Sequence, residues 1–160
     1  GEGSGDGAAV AALHNPVIRD TTITFTDRQR TAEEVEALIA AAQPHWIADT
    51  GEPVGFATIF PFRKGPGYAR TFEHTVIVAP GAWGRGVGRA LMQAAEAGAR
   101  ERGGHTLFAG VAGENVAGIA FHAALGYAEA ARLREVGWKF GRFHDLVLMQ
   151  KILSPGGDGL

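Results

Sequence analysis

Gly84-Arg85-Gly86-Val87-Gly88 follows a β-branched stretch, Thr71 to Val78, and opens an apolar-periodic segment. Strand, glycine-rich turn and helix in that order aim unpaired backbone N–H groups at a helix start, where they and the helix dipole can hold a phosphate or pyrophosphate. Two titratable side chains accompany this turn. Glu73 sits mid-strand in an apolar context, sharing a face with Thr71, Thr75 and Ile77, opposite Phe72, Val76 and Val78. Desolvation there would raise its pKa towards the range of a general base; an ordinary carboxylate on the open face of a sheet is the competing reading. His122, beside Phe121 in a segment opened by Asn115, titrates near neutral pH and could relay a proton. It could instead be a half-buried helix histidine bonded to a carbonyl, and Asn115 only a helix cap.

The glycine turn fits one phosphate ligand better than two others. A nucleotide-hydrolysing loop needs Gly-x-x-x-x-Gly-Lys-Ser/Thr, and that string is missing from the sequence. A dinucleotide fingerprint counted from Gly84 puts Arg89 where its third glycine belongs, and the stretch follows a hairpin rather than an initial strand. A coenzyme A site remains.

The elements that position these residues are legible from pattern. Residues 1–7 read as a flexible leader with Asp6 as an N-cap, Ala8 to His14 as a helix broken or bent at Asn15-Pro16, and Val17 to Asp20 as a second short helical piece. Thr21 to Phe25 alternates but is short for a strand. Thr31 with Glu34 forms a capping box for the helix that follows. Trp46 to Asp49 and Val54 to Phe60 flank Thr50-Gly51-Glu52-Pro53 as a hairpin, and Pro61 to Tyr68 is a loop. After the strand from Thr71 to Val78, Gly86 to Arg102 is a helix stopped by Gly103-Gly104. His105 to Val111 is a strand and Asn115 to Leu125 a helix closed by Gly126. Tyr127 to Arg134 and Phe143 to Ile152 are strands joined through Val136 to Gly141, and residues 154–160 form a loose tail. The expected fold is α+β: one domain over 8–153, with a mixed, mostly antiparallel twisted sheet flanked by helices in three layers.

Composition narrows the function classes. The chain has 160 residues, enough for one sizeable core, and no cysteine, which removes disulfide frameworks, zinc ribbons and thiolate nucleophiles. A net charge of −2, from 15 basic and 17 acidic residues, gives no electrostatic footprint for nucleic acid or an anionic membrane. No apolar run reaches the ~18 residues of a membrane span. The expectation is a cytoplasmic protein with a small-molecule partner, no metal, and no nucleic-acid or membrane partner.

Val76-Ile77-Val78, six spacer residues, and Arg85-Gly86-Val87-Gly88-Arg89-Ala90-Leu91 resemble the acetyl-CoA signature of the GNAT superfamily of N-acetyltransferases. That resemblance implies the acyl-CoA N-acyltransferase fold, a strand that pairs with the pantetheine arm, and turn amides that bind the pyrophosphate. It assigns coenzyme contacts to Val76, Ile77, Val78, Gly84, Arg85, Gly86, Val87, Gly88, Arg89 and Asn115. The signature opens on Arg or Gln, separated by two residues from its first glycine, whereas Trp83 stands at that position before Gly86 here. Thr71-Phe72-Glu73-His74-Thr75, Gly113-Glu114-Asn115, Phe121-His122-Ala123-Ala124-Leu125-Gly126-Tyr127 and Gly137-Trp138-Lys139-Phe140-Gly141 with His144-Asp145 narrow it to the phosphinothricin acetyltransferase family. In that family an opening strand stands where residues 1–5 lie.

Acetyl transfer to an amine with a pKa near ~10 requires a base. The resemblance favours Glu73 in that role, and puts His122 where the wider superfamily has a tyrosine that protonates the leaving thiolate. An N–H from the strand edge between Val76 and Val78 would serve as oxyanion donor, and direct transfer is expected in the absence of a cysteine. Substrates of the phosphinothricin, methionine sulfoximine or methionine sulfone type carry an α-carboxylate, so an Arg fork is expected. Tyr68-Ala69-Arg70 displaces the family's arginine by one residue, leaving Arg70 or Arg63 for that role, with Phe25 as a further pocket residue. Another amine (a peptide N-terminus, amino sugar or polyamine) and a non-catalytic CoA-binding module are the alternatives. Trp138-Lys139-Phe140 reads as a surface loop or dimer contact, homodimers being common in the family.

Overall fold

The structure, a computed structural model, describes residues 6–153; the expected tail and the place of the family's opening strand lie outside them. Four helices, α1 (Asp6–Asp20), α2 (Ala32–Ala40), α3 (Val87–Glu101) and α4 (Val116–Ala124), accompany six strands. The strands are β1 (His45–Asp49), β2 (Pro53–Pro61), β3 (Thr71–Val78), β4 (Thr106–Ala112), β5 (Ala128–Lys139) and β6 (Arg142–Ile152). They form one sheet in the order β1-β2-β3-β4-β6-β5, antiparallel except for the β3–β4 pair. The mixed, mostly antiparallel expectation holds.

Alternation along the strands divides the core into two layers. Phe56 and Ile77 face α1 and α2, where they bury Val10, Ala11 and Val35. Ala57, Ile59, Leu107 and Ala109 face the other way, against Leu91, Met92, Ala95 and Ala99 of α3. Ile119 and Phe121 of α4, with Leu125 at its C-cap, pack on that second layer. Each fully buried large side chain, such as Phe56, Ile59 or Met92, contributes about 1.5–3 kcal/mol of transfer free energy.

Several boundaries differ from the sequence reading. Asp6 and Gly7 belong to α1 rather than to a leader, and the Gly7 N–H donates to Glu36 Oε1 at 2.6 Å. The helix runs through Pro16 without ending. Val10, Ala11, His14 and Ile18 form one buried stripe across the proline, and keeping that stripe seated outweighs a lost backbone bond. The Asn15 side chain meanwhile accepts the N–H of Arg30 at 2.7 Å and donates to its carbonyl at 2.9 Å. Thr21 to Phe25 forms bends rather than a strand. The Thr31–Glu34 capping box is present with both of its hydrogen bonds.

The largest revision concerns the last hairpin. β5 continues to Lys139, bulged between Leu133 and Gly137, and the turn is Phe140-Gly141, at φ of 54° and 74°. Val136 to Lys139 is therefore strand. Left-handed φ at both turn residues matches the twist of a two-residue hairpin, and the bulge absorbs the break in alternation that made the segment read as a loop.

Candidate active site

β3 and β4 pair only from Thr71↔Thr106 to His74↔Ala109. Beyond that point β3 stays with β2 as far as Val78↔Gly55, while β4 follows β6 as far as Ala112↔Leu146. The two strands therefore separate into a wedge. The Phe62 N–H donates to Thr71 O at 3.1 Å and the Ala79 N–H to Val54 O at 2.8 Å, so odd-numbered β3 residues exchange hydrogen bonds with β2. Even-numbered residues face the wedge. Val76 thus presents its backbone N–H and C=O to it and Val78 its N–H, the Val78 C=O being taken by the Trp83 indole. Ile77 does not: its backbone turns towards β2 and its side chain is buried under α1 and α2.

The glycine turn closes the wide end of this wedge. Gly84 and Gly86 have φ of 77° and 78°, and no atom lies within 4 Å of where a Cβ would stand. Gly86 is the N-cap of α3 and offers no side-chain hydrogen bond, so the first-turn amides of α3 face open space, which suits a phosphate or pyrophosphate. Gly88 serves packing instead, because a Cβ there would meet the Phe121 ring at 3.1 Å. Val87 packs against the α3-side core, and Arg85 and Arg89 are exposed without an ion pair among the described residues. Trp83, 64% exposed, donates its indole N–H to Val78 O at 2.9 Å. The departure at the signature's first position thus ties the turn to the end of β3.

Glu73 lies where the wedge begins to open, on the α1/α2 face. Phe60 of β2 and Phe108 of β4 are its cross-strand partners. Gly110 makes room for it: a Cβ there would stand 3.1 Å from Glu73 Oε2. Burial among these rings holds the Glu73 carboxyl above the usual carboxylate range, as desolvation of the charged form requires. No hydrogen bond or ion pair among the described residues engages it.

His122 is on the opposite face of the sheet. Its Nδ1 donates to Gly118 O at 2.8 Å, and its Nε2 lies 3.2 Å from Nε2 of His74, whose ring stacks on it at 5.1 Å. Burial lowers the pKa of both, that of His74 to about 3. Asn115 caps α4 by accepting the Gly118 N–H at 2.9 Å.

The residues expected at the substrate fall into two groups. Arg63 and Tyr68 line a hollow of about 410 Å³ beside Thr71 and Phe72. Arg70 is outside its lining, at the junction where its carbonyl accepts the N–H groups of His105 and Thr106 at 2.8 and 3.2 Å. Phe25 is engaged elsewhere, stacked on His144 at 5.4 Å over Gly137, where a Cβ would fall 2.4 Å from the ring. Lys139 is the residue that pattern reading overlooked here. Buried at 2% exposure, it donates from Nζ to Thr21 O at 2.6 Å and Thr24 O at 2.8 Å, fixing the segment that carries Phe25. His74 was overlooked too, and its signal was available: a titratable residue on the apolar face of β3.

The acetyltransferase (GNAT) family model matches residues 12–127. Phosphinothricin N-acetyltransferase of Streptomyces coelicolor is 36% identical over 149 residues, covering 88% of this chain and 87% of that protein. The crystal structure of ribosomal-protein-alanine N-acetyltransferase from Brucella melitensis superposes with a TM-score of 0.85 at 36% identity, covering 92% of this chain and 94% of that one. The yncA protein of Salmonella typhimurium, solved with its cofactor acetyl-CoA, superposes with a TM-score of 0.86 at 32% identity, covering 94% and 90%. The chain belongs to the acetyltransferase (GNAT) family and is an acetyl-CoA-dependent N-acetyltransferase.

Proposed function

We propose that the chain transfers the acetyl group of acetyl-CoA directly to the primary amine of a small L-amino-acid analogue of the phosphinothricin, methionine sulfoximine or methionine sulfone type. The observation that carries this reading is the half-buried, unpaired Glu73 carboxylate at the point where β3 leaves β4. On this reading the pyrophosphate of the coenzyme binds the amides of Gly84 to Gly88 with Arg85 and Arg89 beside it, and the pantetheine arm pairs with Val76 and Val78. Asn115 has its amide nitrogen left to offer the coenzyme. Glu73, through water, takes the proton of the amine as it attacks the acetyl carbonyl, and the Val76 or Val78 N–H stabilises the developing oxyanion. His122 serves the departing sulfur from the other face.

Arg63 and Tyr68, which share the hollow beside Thr71, are the proposed carboxylate-binding residues, with Arg70 as the further candidate. The name of the Streptomyces relative favours a free amino-acid analogue. The name of the Brucella structure favours a second reading, in which the amine is a peptide N-terminus.

We further propose a cytoplasmic homodimer joined through the exposed side chains Val136, Trp138 and Phe143, which are 57–58% exposed on the β5–β6 hairpin. Trp138→Arg should then convert a dimer to a monomer in sedimentation, and a monomeric wild type contradicts it. No helix among the described residues is long and apolar enough to cross a membrane.

Release of free thiol from acetyl-CoA, followed across a panel of amino-acid analogues, alanine-terminated peptides, amino sugars and polyamines, tests the substrate. Highest kcat/KM with phosphinothricin or methionine sulfoximine is expected. A preference for the peptides selects the second reading, and tight coenzyme binding with no turnover on any amine contradicts both.

A further inference from the structure

The buried contact between His74 and His122 stands behind the proposed sulfur-side role of His122, and its chemistry is fully constrained. Gly118 O can only accept, so His122 Nδ1, 2.8 Å away, carries a hydrogen. Neutral His122 therefore has a bare lone pair on Nε2. The atom facing that lone pair at 3.2 Å is His74 Nε2, which must then be the donor. This leaves His74 Nδ1 as an acceptor, buried and without a partner among the described residues. One tautomer of each ring satisfies the chain of contacts while both stay neutral.

We infer that His74 is a positioning residue for the acetyl transfer: its Nε2–H, donated to Nε2 of His122, holds that ring in its orientation and, together with the Gly118 carbonyl, in the Nδ1–H tautomer. The inference rests on the proposed sulfur-side role of His122. In this arrangement His122 delivers a proton only after receiving one. The pair takes up a single proton, at His74 Nδ1 or, by transfer along the Nε2–Nε2 contact, on His122, and its total charge then rises by one. A second proton would put two cations in stacked, buried rings 5.1 Å apart.

The remaining titratable groups around the pair come from other elements. The Tyr127 ring meets both histidines in T-shaped contacts, at 5.4 Å from His122 and 6.0 Å from His74. Its hydroxyl donates to Glu96 of α3 at 2.8 Å, and Lys151 of β6 pairs with the same carboxylate at 3.0 Å. Glu96 is thus neutralised by its own partners. Glu73, the chain neighbour of His74, is on the far face of the sheet.

Two substitutions separate positioning from packing. His74→Gln keeps an N–H donor near the position of Nε2, whereas His74→Leu fills the space without one; His74→Phe replaces it should the leucine variant fail to fold. The tautomer of His122 is read by nitrogen NMR, and the pH profile of kcat by thiol release with the best amine of the panel. The expected result is that wild type and His74→Gln hold His122 in the Nδ1–H form, with kcat within about threefold of each other. In His74→Leu the tautomers mix and kcat falls about tenfold or more. Its acid limb moves to higher pH, because a hydrogen bond that favoured neutral His122 is gone. An unchanged tautomer and profile in His74→Leu overturns the inference, as does equal damage in both variants, which reduces His74 to packing. Absence of turnover in the wild type overturns the acetyltransferase mechanism, and the tautomer comparison then decides the role of His74 by itself.

Discussion

Glu73 and His74 are chain neighbours whose side chains leave the sheet on opposite faces, one towards α1 and α2 and the other onto His122 of α4. Strand alternation alone produces this division. It separates the proposed proton acceptor for the amine from the imidazole pair on the sulfur side by the thickness of one strand, with the wedge between β3 and β4 as the opening that connects them.

The raised pKa of Glu73 has two consequences of known sign. A base must be ionised, so kcat/KM should fall as pH drops through a value above the ~4.3 of a free glutamate. The folded state holds this proton more readily than the unfolded chain. Its contribution to stability is therefore present below the unfolded pKa and lost as pH rises through the folded one. Glu73→Gln should accordingly leave the melting temperature at pH 7 unchanged or raise it, which thermal unfolding checks.

Gly86→Val should act on coenzyme affinity. An L side chain at φ 78° costs roughly 1–2 kcal/mol, and relief of that strain moves the amides at the start of α3. A dissociation constant for coenzyme A about tenfold weaker, measured by calorimetric titration, is expected with the fold retained. Unchanged affinity would remove the turn from the site.

How far the sequence carried differs between elements. The limits of β3, the capping box at Thr31 and the N-cap at Asn115 were readable because each rests on local chemistry: β-branched alternation, a reciprocal Thr–Glu pair, an amide side chain before a helix. The continuity of α1 through Pro16 was not, since the buried stripe that keeps the helix whole is seen only with α2 and the sheet in place. Phe25 read as a pocket aromatic, whereas its packing on Gly137, 112 positions along the chain, is visible only in the folded chain. Lys139 looked like a surface cation, and its two carbonyl partners, at Thr21 and Thr24, exist only once β5 is paired.

Lys139→Met should uncouple that distant segment. It leaves two carbonyls without their charged donor, at a cost of about 2 kcal/mol or more. Denaturant unfolding should show this loss, with an unchanged dissociation constant for coenzyme A.

Acid destabilisation should depend on His14. Burial, with Arg30 and Lys139 as further contributors, lowers its pKa to about 4, below the ~6.5 of the unfolded chain. The unfolded state therefore binds the proton first as pH falls, and stability that is full above pH ~6.5 is lost on the way down to pH ~4, by at most about 3 kcal/mol. His74 acts in the same direction. His14→Phe should flatten the slope of unfolding free energy against pH across this window without abolishing it.

The central claim is that Glu73 accepts the proton of the amine, and steady-state kinetics of Glu73→Gln beside its coenzyme A affinity tests it most directly. A kcat lower by ~10²-fold or more, with the dissociation constant for coenzyme A equal to that of the wild type, is the predicted result. An unchanged kcat would contradict the account, leaving Glu73 as a buried strand carboxylate with no part in the transfer.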